Sequence, residues 1–117
     1  MKFYSCPDTK SIITVLEDNG VPDKVAPIVP NSTDAAGEKH VPVVKQDGNK
    51  VTVSVGSVNH PMLKEHFIGW VVLETNKGFQ VKYLKADDKP EAEFVLSDGE
   101  KVATAYSYCN LHGLWKD

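Results

Sequence analysis

The sequence predicts an all-β protein, an antiparallel sandwich or barrel, on three observations. From about residue 41 apolar residues recur with period two. Turn-forming residues interrupt them roughly every ten residues. No long 3.6-residue periodicity competes, and no internal repeat is evident.

In chain order, the first thirty residues stand apart. Ser11–Leu16 reads as a short strand or a helical turn, and Asn19-Gly20-Val21-Pro22 breaks it. Pro27 and Pro30 argue against a continuous helix or a central strand. Residues 1–30 are therefore expected to form a short appendage or arm packed on the sandwich. Asp34–Glu38 suits one helical turn. Val41–Lys45 and Val51–Val55 form a hairpin around Gln46-Asp47-Gly48-Asn49, because Asp-Gly tolerates positive φ. The valines at 51, 53 and 55 alternate with Thr52 and Ser54, which separates a buried face from a wet one.

A longer apolar strand, Phe67–Glu74, closes on Thr75-Asn76-Lys77-Gly78. Phe79, Val81 and Tyr83 alternate again, and the polar stretch Lys85–Pro90 leads to Phe94–Leu96. Ser97-Asp98-Gly99-Glu100 then turns into Val102–Tyr108, the sixth strand. Phe67, Trp70, Phe79, Tyr83 and Phe94 are expected in the core. Tyr106 and Tyr108 share one strand face and are expected to pack near the site described next. Trp115 is expected to cover its loop.

Composition bounds the function. The chain has 117 residues and a formal net charge of −3, and all 13 basic residues are lysine. With no basic stripe and no arginine to read guanine, nucleic acid is not an expected partner. No apolar run approaches the roughly 20 residues that span a bilayer, so no membrane partner is expected. The amino end lacks a signal-peptide pattern, and the expected location is cytoplasmic. Cys6 and Cys109 are too few for a disulfide framework.

The chemistry-bearing residues are few. Cys109 and His112 form a Cys-x-x-His pair, in which one tight turn aims both side chains at a point. His40 precedes a strand, His60 lies in an inter-strand loop stiffened by Pro61, and His66 stands six residues later. Each histidine alone is more simply a surface or satisfied core residue. Together, loop and strand-end positions of a sandwich can converge on one rim. Convergence would surround one ion with four imidazoles and one thiolate, a set too large for tetrahedral structural zinc and suited to iron or copper.

Three segments carry a family resemblance: Glu38-Lys39-His40-Val41-Pro42; Asn59-His60-Pro61-Met62 with His66; and Cys109-Asn110-Leu111-His112-Gly113-Leu114-Trp115. In this order they resemble superoxide reductase, the family of neelaredoxin and of the iron domain of desulfoferrodoxin. The resemblance spans residues 31–117. It implies an immunoglobulin-like, seven-stranded antiparallel β-sandwich, whose seventh strand is sought in the amino-terminal region. It implies one mononuclear iron per chain, with His40, His60, His66 and His112 equatorial and Cys109 axial. The implied reaction is one-electron reduction of superoxide, with two protons, to hydrogen peroxide.

The same resemblance assigns Lys39 as the exposed cation that attracts the anion, and Glu38 as the carboxylate that occupies the open position of the oxidised site. It also implies a small electron-donor protein such as rubredoxin and a homo-oligomer, dimer or tetramer. Desulfoferrodoxins carry an amino-terminal module in which four cysteines hold a second iron. Here Thr9 stands where a Cys-x-x-Cys partner of Cys6 belongs, and the later cysteine pair is missing. Residues 1–30 are thus expected to be a degenerate, metal-free remnant, with Cys6 a bystander thiol. Two other classes stay open: a sandwich that holds metal without turnover, and an interaction module whose histidines never meet.

Overall fold

The computed structural model describes residues 1–117. Three short strands open the chain: β1 (Phe3–Ser5), β2 (Ile12–Thr14) and β3 (Ala26–Ile28), in the antiparallel order β2-β1-β3. Pro27 lies on the edge strand β3 opposite Tyr4, where a missing N–H leaves no ladder partner unsatisfied. The expected helical turn is a single turn, α1 (Gly37–His40), shifted so that it ends on the first histidine.

The sandwich follows. One sheet has the order β4-β5-β8, from β4 (Pro42–Asp47), β5 (Lys50–Val55) and β8 (Glu91–Val95). The facing sheet has the order β10-β9-β6-β7, from β6 (Ile68–Thr75), β7 (Gly78–Tyr83), β9 (Val102–Cys109) and β10 (Gly113–Lys116). All neighbours run antiparallel. The β4–β5 hairpin turns on Gly48, whose φ of 59° lies in the left-handed region where a side chain would be strained.

Three plus four strands make the expected seven, but the seventh is not amino-terminal. It is β10, four residues that begin within the Cys109–Trp115 segment and are too few to show an alternation of their own. The amino-terminal strands make a sheet of their own instead.

The main core lies between the two sheets, from Val51, Val53, Val55, Ile68, Val71, Leu73, Ala92, Phe94, Leu96, Ala105 and Cys109. Each fully buried valine, leucine, isoleucine or phenylalanine contributes about 1.5–3 kcal/mol. The register of β6 against β9 shifts between Ile68 and Trp70, so Ile68 and Val71 both point inward although three residues apart.

The outer face of this sheet is covered too. Phe3 packs with Val72, Tyr106 and Leu114, stacks on Trp70 at 5.6 Å and meets Tyr106 edge-on at 5.0 Å. Two burying faces explain why β6 reads as a nearly unbroken apolar run.

This second layer corrects the aromatic expectations. Only Phe94 of the five is in the inter-sheet core; Trp70 and Phe67 are half-buried, Phe79 is 37% exposed and Tyr83 82% exposed. Both exposed rings sit on β7, the sheet's edge, where they line an open groove facing Ile12 and Ile13 of β2 instead of packing into a core. Tyr106 and Tyr108 lie on the face of β9 opposite Cys109 and pack under the amino-terminal sheet, away from the expected site. No helix is long and apolar enough to cross a membrane.

Candidate metal centre

The sheet registers bring the chemistry-bearing segments to one end of the sandwich. Pro42 pairs with Val55, Ile68 with Cys109, and Cys109 with Gly113. His40 therefore leads into β4, His60 leaves β5, His66 leads into β6, and Cys109 and His112 flank the β9–β10 turn. All four imidazoles meet there, which removes the reading in which the histidines never meet.

The rings form a closed square. Centroids are 4.7 Å apart for His40–His60, 4.7 Å for His60–His66, 5.1 Å for His66–His112 and 4.9 Å for His112–His40. Adjacent planes cross at 75° to 83°, while His40 and His66 face each other across the diagonal at 6.4 Å. The Nε2 atom of His40 lies 3.1 Å from Nδ1 of His112 and 3.2 Å from Nε2 of His60. Nitrogens bound at right angles about 2.1 Å from one ion stand about 3 Å apart, so these spacings fit a common ion.

Donor atoms of His40, His66, Cys109 and His112 all lie within 4.8 Å of one another, with the Cys109 Sγ 3.8 Å from Nδ1 of His112. One polar side-chain atom is both buried and without a hydrogen-bond partner, Nε2 of His66, and it belongs to this cluster. Buried polar atoms are rarely left so, and the donor set fits a bound transition metal.

Backbone carbonyls aim two of the rings. Nδ1–H of His40 donates to Ala36 O at 2.7 Å, and Nδ1–H of His60 to Pro61 O at 2.6 Å, which leaves both Nε2 atoms as acceptors toward the centre. Ser107, fully buried, donates its hydroxyl to His40 O at 2.9 Å and joins the two sheets at that point. Trp115 does more than cover the loop: it stacks on His40 at 4.8 Å and donates Nε1–H to His112 O at 3.1 Å. An inward serine on an apolar strand was the one sequence signal for the Ser107 contact, since a buried hydroxyl must find a partner.

Burial sets the electrostatics. It pushes the pKa of His60 down to about 4 and lowers those of His40 and His66, in each case against a partly compensating acceptor or charge. Burial raises the Cys109 thiol, while N–H groups of Leu111 and His112 directed at its sulfur act the other way. Burial thus favours the neutral, metal-binding form of His40, His60 and His66.

Glu38 and Lys39 sit on α1 beside His40, both exposed and in no ion pair. Their turn is seated on the β5–β6 loop, with Val58 N–H donating to Glu38 O at 2.9 Å. Cys6 lies apart, in the turn after β1, and both cysteines are free thiols. Hydrogen bonds from Thr9 and the Asp8 backbone lower the Cys6 pKa.

A seven-stranded antiparallel sandwich with four imidazoles and a thiol at one end defines a class, the mononuclear metal proteins of mixed nitrogen and sulfur ligation. Comparison with known proteins narrows it. Residues 32–117 match the family described as Desulfoferrodoxin, and the chain belongs to that family. A desulfoferrodoxin of Clostridium acetobutylicum is 41% identical over 99% of this chain and 94% of its own length. A superoxide reductase of Pyrococcus horikoshii is 39% identical over 74% of this chain and 90% of its own. The crystal structure of the superoxide reductase from Treponema pallidum is similar with a TM-score of 0.83 and 38% identity, covering 100% of this chain and 99% of that one.

Proposed function

We propose that this chain is a superoxide reductase, reducing superoxide to hydrogen peroxide at one mononuclear iron held by His40, His60, His66, His112 and Cys109. The single observation that carries the reading is the square of four imidazoles with the Cys109 sulfur beside it. Iron bound there supplies the one electron that takes superoxide to the peroxide level, two protons completing the product. The family's relatives named superoxide reductase support the substrate.

The remaining work falls to the chain's own side chains. His40 and Cys109 are buried, so the closed side of the centre lies toward the core, while exposed Glu38 and Lys39 mark the open side. Lys39 carries a hydrated point charge on a flexible stem, attracts the anion despite the net charge of −3, and orients the water that delivers protons. Glu38, free of any ion pair, would be the carboxylate available to the open side of the centre after product leaves. The N–H groups of Leu111 and His112 stabilise the Cys109 thiolate, opposing the effect of its burial.

Residues 1–30 take the role of an appendage without metal, since Cys6 has no thiol partner among them. Residues 31–117 form the iron-binding unit. The electron donor is a small one-electron carrier protein of the rubredoxin kind, the assembly a homodimer or homotetramer, and the setting the cytoplasm.

Metal analysis, the oxidised spectrum and pulse-radiolysis decay of superoxide test the reading together. Expected are a single iron per chain, a visible thiolate-to-iron(III) band that Cys109→Ser removes, and a fast bimolecular reaction of the reduced protein. A band unchanged in Cys109→Ser, or a reduced iron protein inert to superoxide, overturns it.

A further inference from the structure

We propose that Asn110 is a positioning residue that sets His66 relative to Cys109; this rests on the ligand set proposed above. Two of the other rings are aimed by hydrogen bonds of their own, and the His112 backbone is anchored by the Trp115 indole. His40 bonds Ala36 O and stacks on Trp115, His60 bonds Pro61 O, and the backbone of His112 holds the Trp115 indole. The His66 ring makes no hydrogen bond at all, and its buried Nε2 is without a partner. Its aim is therefore inherited from its backbone.

That backbone is held from both sides by one side chain. Asn110 Nδ2 donates to Glu65 O at 3.0 Å, and Phe67 N–H donates to Asn110 Oδ1 at 2.9 Å. Asn110 N–H adds a third bond, to Phe67 O at 3.2 Å. The amide thus straddles His66, while its own backbone directly follows Cys109. Its place in the fold gives these bonds their reach. The β6–β9 ladder pairs Ile68 with Cys109 and is already irregular beside that pair. Past this rung the Asn110 side chain takes over the pairing that a strand backbone would make. The reciprocal Leu63–His66 bridge fixes the local loop, but only Asn110 ties it to the Cys109 segment.

The opposite end of the same two strands offers a matched control. Asn76 N–H donates to Lys101 O at 3.0 Å, its Oδ1 accepts from Lys101 N–H at 2.8 Å, and its Nδ2 donates to Gly99 O at 3.5 Å. It makes the same kind of clamp and lies nowhere near the cluster.

The experiment measures ferrous-iron affinity by anaerobic chelator competition, the energy of the thiolate-to-iron band after oxidation, and unfolding of the metal-free protein. Asn110→Ala is expected to weaken iron binding about 10–100-fold and to shift the band. Asn110→Asp keeps the acceptor for Phe67 N–H, loses the donor to Glu65 O, and is expected to fall between Asn110→Ala and wild type. Asn76→Ala is expected to lower metal-free stability while leaving affinity and band unchanged. If Asn110→Ala fails to fold, Asn110→Asp carries the same readouts, and wild-type values in it overturn the proposal. Wild-type affinity and band in a folded Asn110→Ala do so directly. His66→Ala separates the two failures: if it binds iron as tightly as wild type, the ligand set is wrong, whereas loss there with no effect at Asn110 defeats only the positioning role.

Discussion

Replacing Gly56 by alanine places a methyl group 2.5 Å from the Glu38 carbonyl oxygen and 2.9 Å from the Lys39 carbonyl carbon. Ordinary contacts need about 3.5 Å, so the Glu38–Lys39 peptide must retreat by roughly 1 Å. It cannot do so freely, because Val58 N–H and the Ser57 hydroxyl hold Glu38 O at 2.9 and 3.3 Å. Overpacking against a fixed backbone costs about 1–3 kcal/mol. Urea unfolding of the metal-free protein reads this directly, and with a slope of about 1–3 kcal/mol/M the midpoint falls by about 1 M. Gly69→Ala is the control, since its methyl would meet only the Phe67 ring, at 3.9 Å. In the iron-loaded protein Gly56→Ala also moves Lys39 and Glu38 and slows superoxide capture. A Gly56→Ala protein as stable as Gly69→Ala would refute the close approach.

Three further outcomes are expected. In the metal-free protein His60 stays neutral down to about pH 4, whereas in the unfolded chain it protonates near 6.5. Between these values the unfolded state binds the extra proton, so stability drops as pH falls through that window, by about 3 kcal/mol from His60 alone. His40 and His66 act in the same direction, and urea midpoints that stay level from pH 7 to about 4.5 contradict this. Lys39→Ala should slow the reaction with superoxide and flatten its ionic-strength dependence, read by pulse radiolysis in a salt series; an unaltered salt slope argues against steering. Iodoacetamide should label Cys6 well before Cys109 in the folded metal-free protein, because the Cys6 pKa is lowered while Cys109 is fully buried and raised. Comparable labelling of both, by peptide mass analysis, rejects that ordering.

The sandwich strands with six or more residues were legible because alternation needs length to show, whereas β8 was read only at its end, as Phe94–Leu96. β1, β3 and β10, at three or four residues, were not. Alternation also sorts residues onto faces without saying what covers each face. Trp70 and Tyr106 read as core or site residues until the amino-terminal sheet is seen to lie over them. The candidate ligands were legible as a set, since turns and strand ends announce themselves through Pro61, Gly113 and the Cys-x-x-His spacing. What aims them was not: carbonyls of Ala36 and Pro61, the Ser107 hydroxyl and the Asn110 amide act through backbone positions that only the folded registers bring together.

The amino-terminal sheet is held by what it shields. Phe3 fills the outer face of β6, β9 and β10, whereas Cys6 sits in a turn and touches none of that cluster. Substitution at the two positions is therefore expected to cost unequally. Replacing Cys6 would leave this packing in place, but losing Phe3 would bare Val72, Tyr106 and Leu114 to water. The sheet is thus secured by an aromatic ring and not by a thiol.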